Sequence, residues 1–317
     1  MIGRSLLLLF SIALACFSPA QAQGPPSGMA NEANEVEGVV VTARRIGVPV
    51  WRVSNGSSTV VLIGQIQGVS KDARWRADEL ERAVAQADTV LFPHDVHGSP
   101  ADVARTLWRA RSIVLLPKGK TLGDYVDSAT LARLRSRRPE KATDRYFHPW
   151  VIADDLLGEV QAGELFGDDR VTEVVRRAAR KHRKKREAVG VERASRMLDA
   201  YFAGPATHVP CLSAALAAAE AGPEAAQKRV ADWTRSRVPE VIAAPVELAF
   251  DVCWPWGAAR QSLRRDWSQA LARRLAEPGV TVAVTPLLYA AEPGGLLDNF
   301  VAQGLVVEGP RWRADGG

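Results

Sequence analysis

Short apolar runs alternate with stretches of helical periodicity from Val50 onward, and this alternation restricts the fold more than any other feature of the sequence. It is typical of proteins that pack helices against a sheet. The apolar runs predict strands at 59–63, 89–93, 112–116, 188–191, 280–285 and 305–308. The sequence therefore predicts an α/β protein of the mixed α+β type, with a central mixed β-sheet flanked by helices. The region 169–250 is mostly helical in pattern and predicts a helical layer or cap in the middle of the chain.

Helical patterns fill the gaps between the predicted strands. Ser99 followed by Pro100 predicts the start of a helix that runs through Arg109, because serine caps helices and proline suits their first turn. A second helix is predicted over 149–162, directly after His148. Apolar residues at helical spacing predict two more helices, one through Leu80, Val84 and Ala87 and one through Leu263, Trp267, Ala270, Leu271 and Leu275.

The N-terminus has the pattern of a secretory signal peptide. Arg4 precedes an apolar run from Leu6 to Ala15, and Ala20-Gln21-Ala22 matches the small-x-small sequence that signal peptidase cuts. About ten apolar residues are too few to span a bilayer. The sequence therefore predicts a mature protein that starts at Gln23 and is periplasmic or secreted.

Cleavage before Cys16 is the less favoured alternative and would produce a lipoprotein. Ala13 stands where such signals usually have a larger aliphatic residue. After the signal peptide, a stretch rich in Gly, Pro, Asn and Glu is unsuited to forming a core. The predicted organisation is a signal peptide (1–22), a flexible leader (23–48), one domain (49–310) and a C-terminal tail (311–317).

Composition and missing motifs exclude several classes of protein. The formal charge is +5, and removing Arg4 with the signal peptide lowers it by one to +4, which is mild. With 47% hydrophobic residues and nine tryptophans, the chain can bury a large core as one domain or two packed halves. The sequence contains no nucleophile-elbow serine, glycine-rich phosphate loop or dinucleotide-binding fingerprint. Serine hydrolase, nucleotide-binding and dehydrogenase functions are therefore unsupported.

The predicted mature chain has two cysteines, Cys211 and Cys253. They are too few for a zinc site and lack the spacing of one. In an oxidising compartment they are able to pair, and as free thiols they would be small buried apolar residues. The sequence leaves both alternatives open.

Several segments resemble the TraB/GumN family, to which the Tiki metalloproteases are related. They occur in the family's order over about residues 49–309 and read "PVWRVSNGSSTVVLIGQIQGV", "LERAVAQADTVLF", "IVLLPKGKTLGDYV", "HPWVIADDLL", "REAVGVE", "RRDWSQALARRL" and "VTVAVTPLLYAAEPGGLLDNFVAQGLVVE". The resemblance implies a strand ending in Gly-x-x-His, a second strand ending in Glu, and another Gly-x-x-His near the C-terminus. It also implies that active members hold a divalent metal with those residues.

This sequence departs from the family pattern at each expected ligand. Gly64 is kept, but Gln67 stands where the first His belongs, and Pro93 or a close neighbour stands at the Glu. Tyr289 occupies the position of the second His. A glutamine carbonyl is neutral, a phenol is mostly protonated at neutral pH, and proline ligates nothing. The sequence therefore predicts a pseudo-enzyme without a metal cofactor, which binds a ligand or has an accessory role.

A metal-dependent hydrolase or protease with a rearranged site is the alternative. His94, Asp95 and His97 follow the second predicted strand and carry groups suited to divalent-metal binding or acid–base catalysis. In an extended segment His94 and His97 point to opposite sides, so a turn would be needed to bring them together. Glu192, at the end of "VGVE", is a candidate pocket carboxylate, although an acid at a helix N-terminus explains it equally well. Arg265 in "RRDW" is a further candidate pocket residue.

The densest charge lies in the run from Arg176 to Arg186. Val171, Val175 and Ala178 predict one apolar face of a helix, which leaves the basic residues on the other face and at the helix end. A solvated helix face is the favoured interpretation of this run, and an anionic polysaccharide or a lipid head group as a partner is the alternative. Nucleic acid is not expected outside the cytoplasm, and the oligomeric state is left open.

Overall fold

The computed structural model describes residues 47–69, 73, 75–160, 171–253 and 258–314. These residues lie within one compact unit, Val41–Gly317. The predicted signal peptide, the alternative cut before Cys16 and nearly all of the predicted leader lie outside the described residues. None of the described helices has the length and apolar character needed to cross a membrane.

A six-stranded mixed sheet forms the centre of the molecule, which confirms the predicted α/β fold. Its strands are β1 (Val50–Ser54), β2 (Ser58–Gln65), β3 (Thr89–Phe92), β5 (Lys185–Ala188), β7 (Gly279–Pro286) and β8 (Val306–Glu308). The order across the sheet is β5-β3-β7-β2-β1-β8. The four strands from β5 to β2 run parallel, whereas β1 is antiparallel to both β2 and β8. A separate parallel pair joins β4 (Asp95–His97) to β6 (Val191–Arg193).

Twelve α-helices surround the sheet or extend from it within the described residues. They are α1 (Ala77–Gln86), α2 (Pro100–Val114), α3 (Ser128–Arg137), α4 (Pro149–Val160), α5 (Val171–Lys181), α6 (Ala194–Tyr201), α7 (Val209–Trp233), α8 (Val238–Ile242), α9 (Pro245–Cys253), α10 (Ala258–Ala276), α11 (Leu287–Ala291) and α12 (Leu296–Ala302). Helix α7 is interrupted at Gly222, whose backbone is non-helical (φ 79°, ψ 176°) and is followed by Pro223. Only glycine adopts such a conformation readily.

Two hydrophobic cores hold these elements together. The sheet core lies around β2 and β7, and it includes the buried side chains of Leu62, Val282 and Trp267. The helical core is formed largely by α4, α7 and α9, with Leu156 and Leu212 among its buried residues. A disulfide between Cys211 and Cys253 joins α7 to α9, with 4.7 Å between their Cα atoms. The structure thus chooses the disulfide from the two alternatives that the sequence left open.

Four of the six predicted strands agree with the structure and two do not. Residues 112–114 belong to α2, and Leu115 makes only an isolated bridge to Phe147. The capping box at Ser99 starts a helix whose backbone hydrogen bonding continues through this apolar run, so its β-branched residues end in a helix. The predicted strand 188–191 spans the gap between β5 and β6, where the Gly190 carbonyl accepts from the Asp95 amide. Strands β1 and β4 were not predicted.

The remaining helix predictions differ from the structure at their ends. Helix α2 extends five residues beyond the predicted end at Arg109. Helix α4 ends at Val160 in the described part of the chain, and residues 161–162 of the prediction lie outside it. The basic run is not helical throughout: α5 ends at Lys181, Arg183 has a positive φ of 51°, and Lys185 begins β5. Edge-strand pairing with β3 therefore takes over where the sequence predicted a helix end.

Candidate functional site

The carboxyl ends of β2, β7 and β3 form the floor of the main candidate site. These three strands are parallel neighbours, so the residues that follow them meet at one edge of the sheet. Open parallel sheets commonly bind ligands at such an edge. A pocket of about 220 Å³ opens here, and α9 and α10 supply its other walls. Its lining residues are Gln65, Ile66, Gln67, Pro93, His94, Val96, Glu192, Glu247, Phe250, Asp251, Leu263, Trp267, Pro286, Leu288 and Tyr289.

The sequence candidates divide into those that line this pocket and those that do not. The pocket brings together Gln67, Pro93, His94, Glu192 and Tyr289, which come from four separate parts of the chain. The residues that it does not include are Gly64, Asp95, His97 and Arg265. Gln67, Pro93 and Tyr289, the three positions where the sequence departs from the family's expected ligands, thus line one pocket.

The four remaining candidates lie nearby. A side chain at Gly64 would collide with Leu287, and the Gly64 carbonyl accepts a 2.9 Å hydrogen bond from the indole of Trp233. Asp95 and His97 are exposed on β4. Arg265 lines a second cavity of about 370 Å³ between α10 and α12, which shares Tyr289 with the first pocket. Gly64 therefore has a packing role, and His97 does not converge with His94.

A buried ion pair fixes the turn that carries Gln67. Arg229, which is only 2% exposed, donates to the Gln67 carbonyl at 2.6 Å and pairs with the carboxylate of Glu247. Burial raises the pKa of Glu247, and the neighbouring Arg229 guanidinium opposes that rise. The pair links α7 and α9 of the helical region to the end of β2. Sequence reasoning missed both residues because they lie 162 and 180 positions away from Gln67, a separation that no local pattern reveals.

His94 lies at the pocket wall beside an acidic partner. Its Nε2 atom is 3.0 Å from Oδ2 of Asp266 on α10, and its side chain is nearly buried whereas that of Asp266 is partly exposed. A side chain at Gly190 would approach the imidazole ring within 2.9 Å, so glycine leaves room for the ring. A histidine held by a carboxylate is a common acid–base arrangement. Asp266 was not a candidate, although it stands next to Arg265 in the "RRDW" segment.

Glu192 occupies the middle of β6 and is buried, with 4% exposure. Its carboxylate lies 3.4 Å from Arg196, one turn along the chain. Among the described residues its Oε1 atom makes no hydrogen bond. A buried carboxylate oxygen without a hydrogen bond is costly unless a ligand or water supplies a donor. Because Glu192 lines the pocket, this oxygen is a candidate acceptor for a ligand's hydrogen-bond donor.

The ring of Tyr289 is covered by a cation. The guanidinium of Arg264 lies 4.2 Å from the ring centroid and donates to Glu292 from two nitrogens, at 2.5 and 2.8 Å. Arg264 also lies 3.4 Å from Asp251 in the pocket wall. The guanidinium holds the two carboxylates that would otherwise attract a divalent cation to this place. The charge of the site is therefore balanced between carboxylates and arginines.

The described residues contain no group of three or more His, Cys, Asp or Glu side chains arranged to hold a metal ion. His94 turns toward Asp266, whereas Asp95 and His97 stay at the surface of the β4–β6 pair. The three residues of the alternative metal set are therefore spread over two environments. The chemistry that this part of the chain does offer is hydrogen bonding, charge recognition and proton transfer at His94.

The basic run is partly neutralised. Lys181 pairs with Glu81 on α1, Arg176 pairs with Glu173, and the ring of Phe92 lies 5.3 Å from the Arg176 guanidinium. These contacts tie several of its charges to the protein itself. The run therefore presents fewer uncompensated cations than its sequence indicates.

Comparison with known proteins gives one match. The model of the TraB/PrgY/gumN family matches residues 49–309. No curated protein matches the chain, and no solved structure matches it.

Proposed function

The chain belongs to the TraB/PrgY/gumN family, and from that premise we propose that it is an exported, non-catalytic member that binds a ligand in the pocket at the carboxyl ends of β2, β3 and β7. One observation carries the proposal. Gln67, Pro93 and Tyr289, which replace the expected metal ligands, line one pocket with each other. The replacement therefore affects a single site rather than three unrelated positions.

The residues around that site disfavour binding of a divalent metal at the positions that the family pattern assigns to it. Gln67 offers a neutral amide, and its backbone is tied to Arg229. Arg264 covers Tyr289. These two guanidinium groups already pair with three carboxylates, those of Glu247, Asp251 and Glu292. The three replaced positions therefore lack the nitrogen donors and the free negative charge that make binding of a divalent metal favourable.

The pocket has features that suit a small ligand with both apolar surface and hydrogen-bond donors. Apolar contact comes from Ile66, Phe250 and Trp267, in a pocket of about 220 Å³ that is open to solvent. Oε1 of Glu192, which lies 3.4 Å from Arg196 but accepts no hydrogen bond among the described residues, would accept one from the ligand. Most ligand pockets combine an apolar lining with a few polar groups in this way.

Export to the envelope is the second part of the proposal. It rests on the signal-peptide pattern around Leu6–Ala15 and Ala20–Ala22. The Cys211–Cys253 disulfide supports it, because disulfides persist mainly in oxidising compartments. N-terminal sequencing of protein from the periplasmic fraction should give Gln23. A lipid-modified Cys16, or an uncut chain in the cytoplasm, would contradict the assignment.

A hydrolase with a rearranged site is the second candidate function. The contact between His94 and Asp266 favours it, because this pair is able to accept or deliver a proton at the pocket wall. Under this alternative His94 acts as the acid–base residue, and Asp266 orients its ring. The function would then require a nucleophile or an activated water that the described residues do not identify.

Metal analysis separates the proposal from the metal-dependent form of the second candidate. Purified parent protein, a His94→Ala variant and a His97→Ala control are analysed for Mn, Co and Zn. The proposal expects no stoichiometric metal in any of the three. Stoichiometric metal that is present in the parent and in His97→Ala but absent from His94→Ala would overturn the proposal and establish a relocated metal site. Stoichiometric metal in all three proteins would overturn it as well, by showing a site that does not use His94.

A further inference from the structure

Helix α2 exposes its apolar face to solvent. None of its fifteen residues is buried. Val103 is 61% exposed, Leu107 63% and Trp108 92%. These residues, with the exposed Ala104, lie at the 3–4 residue spacing of a single helix side. A helix on a protein surface normally turns such an apolar stripe toward the core, whereas α2 turns it toward solvent.

The inward side of α2 is polar and is held in place by specific contacts. The guanidinium groups of Arg105 and Arg109 lie 4.9 and 4.3 Å from the ring centroid of Phe202, and Arg105 pairs with Asp199 on α6 at 2.6 Å. At the other end of the helix, the Trp150 indole donates to the Ile113 carbonyl at 2.6 Å. The outward orientation of Trp108 is therefore fixed by the packing of the opposite side.

The segment that carries this face is strongly basic. Between Val103 and Gly123 the sequence has five cations and no acidic residue; the cations are Arg105, Arg109, Arg111, Lys118 and Lys120. Arg111 lies within the exposed side of the helix. Within the described part of the chain, Arg111 and Lys118 have no ion-pair partner within 4.0 Å. An exposed apolar stripe inside a basic segment is the pattern of a helix that lies on an anionic membrane surface.

We propose that α2 docks the protein on an anionic lipid bilayer, with Leu107 and Trp108 inserted among the head groups and with Arg111 and Lys118 facing the phosphates. Tryptophan suits this position because its ring has apolar surface and one polar N–H group. At about 1.5 Å per residue, fifteen residues give a helix of about 22 Å. This length suits a helix lying in the plane of the surface. The surface is independent of the ligand pocket, because no residue of α2 lines it.

A second copy of the chain fits this face less well. A two-fold contact uses the same patch on both subunits, so it would bring the exposed Arg111 side chains of two α2 helices together. Like charges in a desolvated contact are unfavourable, and the exposed face of one helix is small beside the roughly 800 Å² per partner that a stable interface buries. A lipid surface instead supplies the opposite charge.

Vesicle flotation tests the proposal with the processed full-length protein. Vesicles contain either phosphatidylethanolamine with phosphatidylglycerol or phosphatidylcholine alone. The parent should float with the anionic vesicles, remain unbound with the neutral ones, and lose binding at high salt. A Trp108→Glu variant and a Leu107→Glu variant should each reduce the bound fraction at least about fivefold, because a carboxylate replaces the inserted apolar group.

Two variants serve as controls. Val301→Glu makes the same type of change at an exposed apolar residue on α12. Arg183→Glu/Lys184→Glu changes the basic run that follows α5. Both should bind like the parent. Circular dichroism should show unchanged folding of Trp108→Glu, since that side chain makes almost no contact with the protein.

Three results would overturn the assignment. The first is a parent that does not bind anionic vesicles. The second is binding that survives both α2 substitutions or is lost only in the Arg183/Lys184 variant. The third is a dimer in light scattering that disappears in Trp108→Glu without any vesicle binding, which would make a second copy the occupant of this face.

Discussion

The sheet core and the helical core of this molecule are stabilised by different kinds of contact. The sheet core joins strands that are far apart in sequence, since Ser58 of β2 lies opposite Gly279 of β7. The helical core packs α4, α7 and α9 and adds a disulfide between α7 and α9. The first is specified by non-local strand pairing and the second by helix packing with a covalent link.

Helix α7 belongs to both regions because it is broken at Gly222. Before the break, Leu212 and Leu216 lie in the helical core. After it, Val230 and Trp233 lie in the sheet core. The pocket forms where the two regions meet. The strand ends that line it belong to the sheet core, and the Arg229–Glu247 pair comes from α7 and α9, which connect the pocket to the helical core. The pocket therefore depends on the contact between the sheet core and the helical core and not on either core alone.

The largest expected loss of stability at the contact between the two cores comes from leaving a buried charge unpaired. Replacing Arg229 with Ala removes the partner of Glu247, and we expect the free energy of unfolding to fall by about 3–5 kcal/mol. The double variant Arg229→Met/Glu247→Leu should recover most of the loss, because apolar residues of similar size leave no charge behind. Urea denaturation measures both effects.

An exposed ion pair supplies the control for this experiment. Arg105→Ala breaks the contact with Asp199 at the surface, and it should cost less than about 1 kcal/mol. If the double variant of the buried pair is no more stable than Arg229→Ala, the two buried charges are not energetically coupled and the role given to the pair is wrong.

Removing the disulfide should destabilise the helical core more than the sheet core. Cys211 and Cys253 are 42 residues apart, and Cys211→Ser/Cys253→Ser should lower the free energy of unfolding by about 2–4 kcal/mol, mainly by freeing the unfolded chain. Hydrogen exchange should show faster exchange of amides in α7 and α9 than of those in β2 and β7. Equal loss of protection in both regions would mean that the cores unfold as a single unit. The parent treated with a reducing agent should behave like the variant.

A buried histidine makes the helical region sensitive to acid. His148 is 2% exposed, and burial together with the neighbouring His208 lowers its pKa from 6.5 to about 4. The unfolded chain therefore binds more protons than the folded chain between these values. Stability should fall as the pH drops from 6.5 to about 4, by up to about 3 kcal/mol.

The variant His148→Gln isolates this effect because it removes the titrating ring. Its free energy of unfolding should depend less on pH across the same window than that of the parent, as measured by denaturation at a series of pH values. His97→Gln is the matched control, since His97 is exposed on β4. A parent and a His148→Gln variant with parallel pH profiles would show that this ring is not the source of the acid sensitivity.

The smallest expected effect concerns a hydroxyl in the sheet core. Thr285 on β7 is fully buried, and among the described residues its Oγ1 makes no hydrogen bond. Thr285→Val should therefore be neutral or stabilise the protein by up to about 1 kcal/mol. Thr172→Val is the contrast, because the Thr172 hydroxyl donates to Gln65, and its loss should cost about 1 kcal/mol. Thermal denaturation of both variants tests whether Thr285 has an unrecognised partner.

Local pattern was enough to predict much of the sheet, and the family resemblance supplied candidate residues for the site. The apolar runs at 59–63 and 280–285 correspond to β2 and β7, because continuous burial leaves a direct mark on sequence. The order of the family segments identified Gln67, Pro93 and Tyr289 as related positions before any geometry was known. Local pattern failed at 112–116, where an established helix continued through a run of β-branched residues.

The sequence by itself determined which strands are buried and where α2 starts, and it predicted that the expected metal ligands are replaced. Only the tertiary structure decided that Arg229 and Glu247 support the pocket, that His94 faces Asp266, and that α2 turns its apolar side outward. The physical reason is the distance along the chain over which each kind of interaction acts. Strand burial and helix capping act between residues close in the chain, whereas ion pairs and helix orientation depend on contacts between distant segments. Those contacts exist only after the sheet has brought the segments together.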